Sequence, residues 1–168
     1  MKIHPSRFEQ MTALTDVALG ILAGCAAFQV LQILGFKSAV WGWAFGLLAF
    51  SALCAALSHS FEMTQKTNER IWMPVNLSLG WTLALFVVGA LMDVSGGAIA
   101  KSALPSALTV GFLFFIVTIL RPGTFMIFIA YEAVAMLFSL GVYAFLFFNG
   151  ALPGAGWMLA GVFVTIMA

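Results

Sequence analysis

Asp16, His59, Asn76 and Glu132 are the side chains of this sequence best placed to do chemistry, because each falls inside or at the edge of a long apolar run. An ionisable group in hydrocarbon is expensive, so it persists where it pairs, exchanges a proton or lines a pathway. Asp16 and Glu132 are the candidate catalytic groups, as donors and acceptors of protons. His59 is a candidate metal ligand whose companion ligands are expected outside this chain. Asn76 and Tyr131 are read as structural polar groups beside them.

Helical spacing says where these side chains point. Asp16 shares a face with Gly20, Ala23 and Ala27, at i+4, i+7 and i+11. That face is small, as close helix contacts in lipid require, so Asp16 is expected to point into a bundle. His59 closes a second apolar run over Ala55 and Ala52, and Asn76 lies one turn before Gly80 near the start of a third. Tyr131 and Glu132 fall two turns into a fifth, roughly 10 Å deep at 1.5 Å per residue. Alternating passage through the membrane then places Asp16, His59, Asn76 and Glu132 in the same leaflet, with Glu62 and Glu69 in the adjoining loop and Asp93 at the opposite side.

Each member has a plainer alternative. A carboxylate near a helix N-terminus is favourable, so Asp16 is equally readable as a cap of helix 1. His59 can satisfy the last carbonyls of its helix. Asn76 can supply an interhelical hydrogen bond worth about 1 kcal/mol. Glu132 has the weakest alternative, because a carboxylate two turns inside lipid needs a partner or a proton.

The elements that must position these groups follow from composition. Of 168 residues, 63% are apolar and only 8% charged. A soluble domain carries about 25% charged residues, and so few charges cannot cover a surface of this size with polar groups. Lipid is the expected solvent, and the lipid bilayer the first partner. A net charge of +1 leaves no basic stripe for nucleic acid. Cys25 and Cys54 lie in apolar runs without metal-binding spacing and read as small buried hydrophobes. Leu22-Ala23-Gly24-Cys25 has the form of a lipoprotein cleavage site, but Asp16 interrupts the apolar run before it and the run continues to Leu34, so an uncleaved helix is expected.

The fold class is therefore all-α: a polytopic transmembrane helical bundle of about six helices in a single domain. The apolar runs fall near 12–34, 38–58, 71–94, 98–120, 125–148 and 151–168, against the roughly 20 residues that span a bilayer. Breaks are expected at Gly35–Lys37, His59–Arg70, Ser95–Gly97, Arg121–Gly123 and Asn149–Gly150. The last run stops at Ala168 without a polar flank, so a chain cut short at the C-terminus is expected. Lys2, Arg7, Lys66, Arg70 and Arg121 fall on one side, and Lys37 and Lys101 on the other. That asymmetry predicts a cytoplasmic N-terminus. Pro74 is expected in a first helical turn and Pro105 at a kink. Trp41, Trp43, Trp72, Tyr143 and Trp157 are expected in interfacial belts, and Phe112, Phe114, Phe115, Phe125 and Phe128 as lipid-facing or core residues.

Thr15-Asp16 opening helix 1, and Ser58-His59-Ser60-Phe61 ending helix 2 after Trp41…Phe50, make the layout resemble the CREST superfamily of membrane hydrolases. That superfamily includes the alkaline ceramidases and the progestin/adipoQ receptors. The resemblance implies a seven-helix fold and zinc held by one early and two late histidines. A serine and an aspartate assist, and the reaction is hydrolysis of a lipid amide or ester. On that resemblance His59 matches the early ligand and Asp16 the supporting acid. Ala55 stands where the superfamily has its serine, no aspartate opens helix 3, and the late histidines would have to follow Ala168. Three functions are thus carried forward: a membrane protein whose polar cluster is purely structural, a zinc-dependent hydrolase of a lipid substrate, and a small proton-coupled transporter. A second copy of the chain or a membrane complex is the further partner this allows.

Overall fold

The computed structural model describes residues 2–121 and 125–167. Six helices follow in order: α1 (Arg7–Leu31), α2 (Phe36–Ser60), α3 (Gln65–Ser95), α4 (Gly97–Leu120), α5 (Phe125–Phe148) and α6 (Ala155–Met167). The first five are long and apolar enough to cross a membrane, and the protein is an integral membrane protein of the all-α class. The 13 residues of α6 extend about 20 Å, short of the ~30 Å hydrocarbon core. Pro122 and Gly123 of the expected break, the Phe125 side chain and Ala168 lie outside the description.

Packing divides the chain within α3 into two compact units, Met1–Thr82 and Leu83–Ala168. In the first, α1 and α2 form an antiparallel hairpin. Ala13, Gly20, Ala23 and Ala27 are its buried residues on α1, while Leu14, Leu22 and Phe28 on other faces are 62–69% exposed. Small residues inside and large apolar ones outside invert the soluble pattern. That is what lipid demands, since helices attract through close packing rather than by hiding oil from water. A Cβ placed on Gly20 would lie 2.8 Å from Leu53, and one on Gly42 would lie 2.5 Å from Leu31. The hairpin turns at Gly35, whose φ of +139° would strain any residue with a Cβ.

Polar sequence at the helix ends continues the helices instead of breaking them. Ser6 occupies the N-cap position of α1, its carbonyl receiving the Gln10 N–H at 3.2 Å, and Glu9 adds a favourable charge to the first turn. The expected loop from His59 to Arg70 shrinks to four residues. Thr64 caps α3 through its carbonyl, which accepts the Thr67 and Asn68 N–H groups at 2.9 and 3.0 Å, and its hydroxyl accepts the Thr67 N–H at 3.3 Å. Gln65 then bonds Glu69 one turn on, at 2.9 Å. At 31 residues, α3 is about 46 Å long and outreaches the hydrocarbon. Pro74 consequently lies in the interior of α3, and not in a first turn. Phe61–Glu62 forms a strand (β2) paired antiparallel with Lys2–Ile3 (β1), a ribbon too short to leave an alternation in the sequence.

The second unit has a core of Leu83, Ala90, Ala135, Met136, Tyr143, Leu146, Ala155 and Val162. Tyr143 is fully buried, with its hydroxyl donating to Asp93 Oδ2 at 3.1 Å. It is a core residue rather than a belt residue, because its one polar atom finds a carboxylate inside the unit. Trp41 is also buried, whereas Trp43 and Trp157 are exposed as a belt requires.

The α1–α2 contact should fail on bulk. Gly20→Ile drives a branched side chain into Leu53 and is expected to cost about 1–3 kcal/mol in reversible unfolding from detergent micelles. Gly46→Ile should be near neutral, since a Cβ there meets no described atom within 4 Å. Equal losses in both variants would contradict this packing.

Candidate functional site

The polar end of the first unit is built on the α1–α2 hairpin. Glu9, in the first turn of α1, and Asp16, two turns further along the same face, look across at the end of α2. His59 occupies the penultimate position of α2, and its Nδ1 meets Glu9 Oε2 at 2.6 Å. The two side chains are 24% and 33% exposed, so the pair is screened from much of the surrounding solvent. Asp16 lies within electrostatic reach of His59. Its Oδ2 is buried and meets no hydrogen-bond partner among the described residues.

That geometry removes the plainer readings of two residues. Asp16 is not a cap, because α1 starts at Arg7 and carries Asp16 about 13 Å along its axis. His59 is turned to a carboxylate and not to the terminal carbonyls of its own helix. An orphaned carboxyl oxygen on an apolar hairpin is costly to leave unmatched. It is therefore the feature most in need of a chemical explanation.

The N-terminal turns of α3 hold His59 in place. Trp72 packs edge-on against the imidazole, with ring centroids 5.9 Å apart and planes at 81°. The indole N–H donates to Ser58 Oγ at 3.0 Å, and the Ser58 hydroxyl donates in turn to the side-chain amide oxygen of Asn68. Ser58 is thus fully engaged as a bracket between α2 and α3. Asn76 is half-buried further along α3 and takes no part in this network.

Glu132 and Tyr131 belong to the second unit. Glu132 is half-buried on α5, at the helical spacing that leads through Met136 and Ser139 to Tyr143. Tyr131 stacks on Phe114 with centroids 4.7 Å apart and planes 15° from parallel. Of the four side chains expected together, the first unit alone thus brings Asp16 to His59, and adds Glu9. Glu9 was readable from Ser6-x-x-Glu9, a pattern that starts helices, and from its spacing of seven to Asp16.

The described residues do not assemble a zinc site. Among them no three His, Cys, Asp or Glu side chains stand together as a donor set, and Nδ1 of His59 already faces Glu9. What the site holds is an imidazole paired with one carboxyl and within electrostatic reach of a second, an arrangement suited to moving protons.

Residues 11–168 match a family profile. The chain belongs to a family of unknown function (DUF6962). Neither a curated protein nor a solved structure matches it. The matched span takes in Asp16, His59, Trp72 and Glu132, while Glu9 and β1 precede it.

The Glu9–His59 contact should register as an energetic coupling. A double-mutant cycle with Glu9→Gln and His59→Gln, read by unfolding in micelles, is expected to give about 0.5–1 kcal/mol, the range for partly exposed pairs. Additive effects would contradict the pairing.

Proposed function

We propose that this membrane protein moves protons between one membrane surface and a point inside the bilayer, as the working part of a small proton-coupled carrier. The buried, unpartnered Oδ2 of Asp16 beside the Glu9–His59 pair carries this reading. Glu9 exchanges protons with water at the interface. His59 accepts a proton on Nδ1 and releases one from its other ring nitrogen, so that charge crosses the ring without the ring having to move. A water admitted between His59 and Asp16 relays that proton to the buried oxygen of Asp16, which holds it within the apolar span. Intramembrane carboxyls in series are what proton relays use. Glu132 is the corresponding acid of the second unit.

Lys2, Arg7 at the start of α1, and Lys66 and Arg70 in the first turns of α3 support a cytoplasmic N-terminus, so the relay opens to the cytoplasm. The hydrolase implied by the CREST resemblance is the weaker proposal. It rests on His59 and Asp16, with Ser58 occupied by Trp72 and Asn68.

Proteoliposomes with a trapped pH dye and a potassium diffusion potential test the relay. The wild type should acidify or alkalinise its lumen with the potential. Asp16→Asn should slow that flux roughly a hundred-fold, the size of effect expected for losing a positioned proton carrier. Unchanged flux in Asp16→Asn would overturn the proposal.

A further inference from the structure

A strap made by Lys2–Ser6 runs beside the Glu9–His59 pair. Lys2 pairs with Glu62 and Ile3 with Phe61, and the His4 N–H donates to the Ser60 carbonyl at 2.9 Å. Ser60, which takes that bond, follows His59 directly at the end of α2. The chain then turns at Ser6, whose N–H reaches His4 Nδ1 at 3.3 Å, and enters α1 one turn before Glu9. The Gln10 side-chain amide closes the loop from below, donating to the His4 carbonyl at 2.7 Å. Both partners of the proton pair thus lie one residue from a strap contact, His59 beside Ser60 and Glu9 beside Gln10.

The strap is held lightly. Ile3 is 70% exposed and Lys2 is exposed too, so little apolar surface is buried in making it. An isolated two-stranded ribbon is marginal in water, and this one has two residues per strand. Segments of this kind, with few apolar contacts and a handful of exposed hydrogen bonds, are the ones that open locally while the rest of a fold stays intact.

We infer that Lys2–Ser6 is a lid over the Glu9–His59 pair, whose opening admits water and so regulates proton entry. The regulatory role rests on the proton-transfer reading above; the lid itself does not. The hydrogen bond between His4 and Ser60 makes Ile3 and Phe61 the closely spaced, non-hydrogen-bonded pair of the ribbon. A disulfide between those positions is geometrically allowed. Ile3→Cys/Phe61→Cys, with Cys25 and Cys54 changed to alanine, can therefore be locked by oxidation and freed by reduction within one polypeptide.

Reaction of His59 with diethyl pyrocarbonate, followed by peptide mass spectrometry on nanodisc-embedded protein, reads the lid directly. Oxidation should slow modification of His59 several-fold relative to the reduced form. A chain lacking residues 2–5 should react several-fold faster than wild type, which keeps the test decisive if the double cysteine variant fails to fold. Equal rates in the locked, free and shortened proteins would overturn the lid. Lock-dependent modification without proton flux in any form would sink the carrier reading and leave the lid standing. Flux that ignores the lock would remove the regulatory role.

Discussion

A carboxyl group carried into hydrocarbon must find a cation, a donor or a proton, and the arrangement of the first unit turns on how Asp16 meets that demand. Its place on α1 is set by the same small-residue face that lets α1 and α2 approach. The Asp16 side chain is half-buried there, with one carboxyl oxygen fully shielded. Its buried oxygen has no hydrogen-bonding neighbour among the described residues. Asp16 lies within electrostatic reach of His59, whose Nδ1 meets Glu9.

The remaining contacts of that unit keep the imidazole where it is. Trp72, Ser58 and Asn68 tie the start of α3 to the end of α2, and the ribbon of β1 and β2 ties the chain start to the same place. These contacts lie past the apolar spans, where backbone and side chains can use ordinary hydrogen bonds. Below them the hairpin has almost nothing polar to offer and relies on the fit of Gly20 against Leu53 and Gly42 against Leu31. Rigidity at the polar end and close packing below it are thus separate devices, built from different residue types.

Hydropathy made the spans legible and hid their ends. The apolar runs locate five helices because lipid admits no unpaired backbone, so an apolar stretch of sufficient length has to be helical. The same signal is blind to Arg7–Met11 and Gln65–Arg70, which are polar yet helical because they project beyond the hydrocarbon. Glu9 was overlooked for that reason, and with it the partner of His59. Asp16 pointing inward was readable from Gly20, Ala23 and Ala27. The role of Tyr143 was not, since an aromatic near a span end looks alike whether it faces headgroups or reaches a half-buried carboxylate such as Asp93. The strap left no trace because two residues cannot display a period.

Infrared difference spectroscopy on the membrane-embedded protein addresses the central claim most directly, by watching the carbonyl stretch of a protonated carboxylic acid as bulk pH is stepped. The account predicts a band that appears and disappears with pH, is missing in Asp16→Asn, and responds more slowly in His59→Gln. A spectrum unchanged by Asp16→Asn at every pH would mean that no proton travels on and off this residue, and the relay would have no interior end.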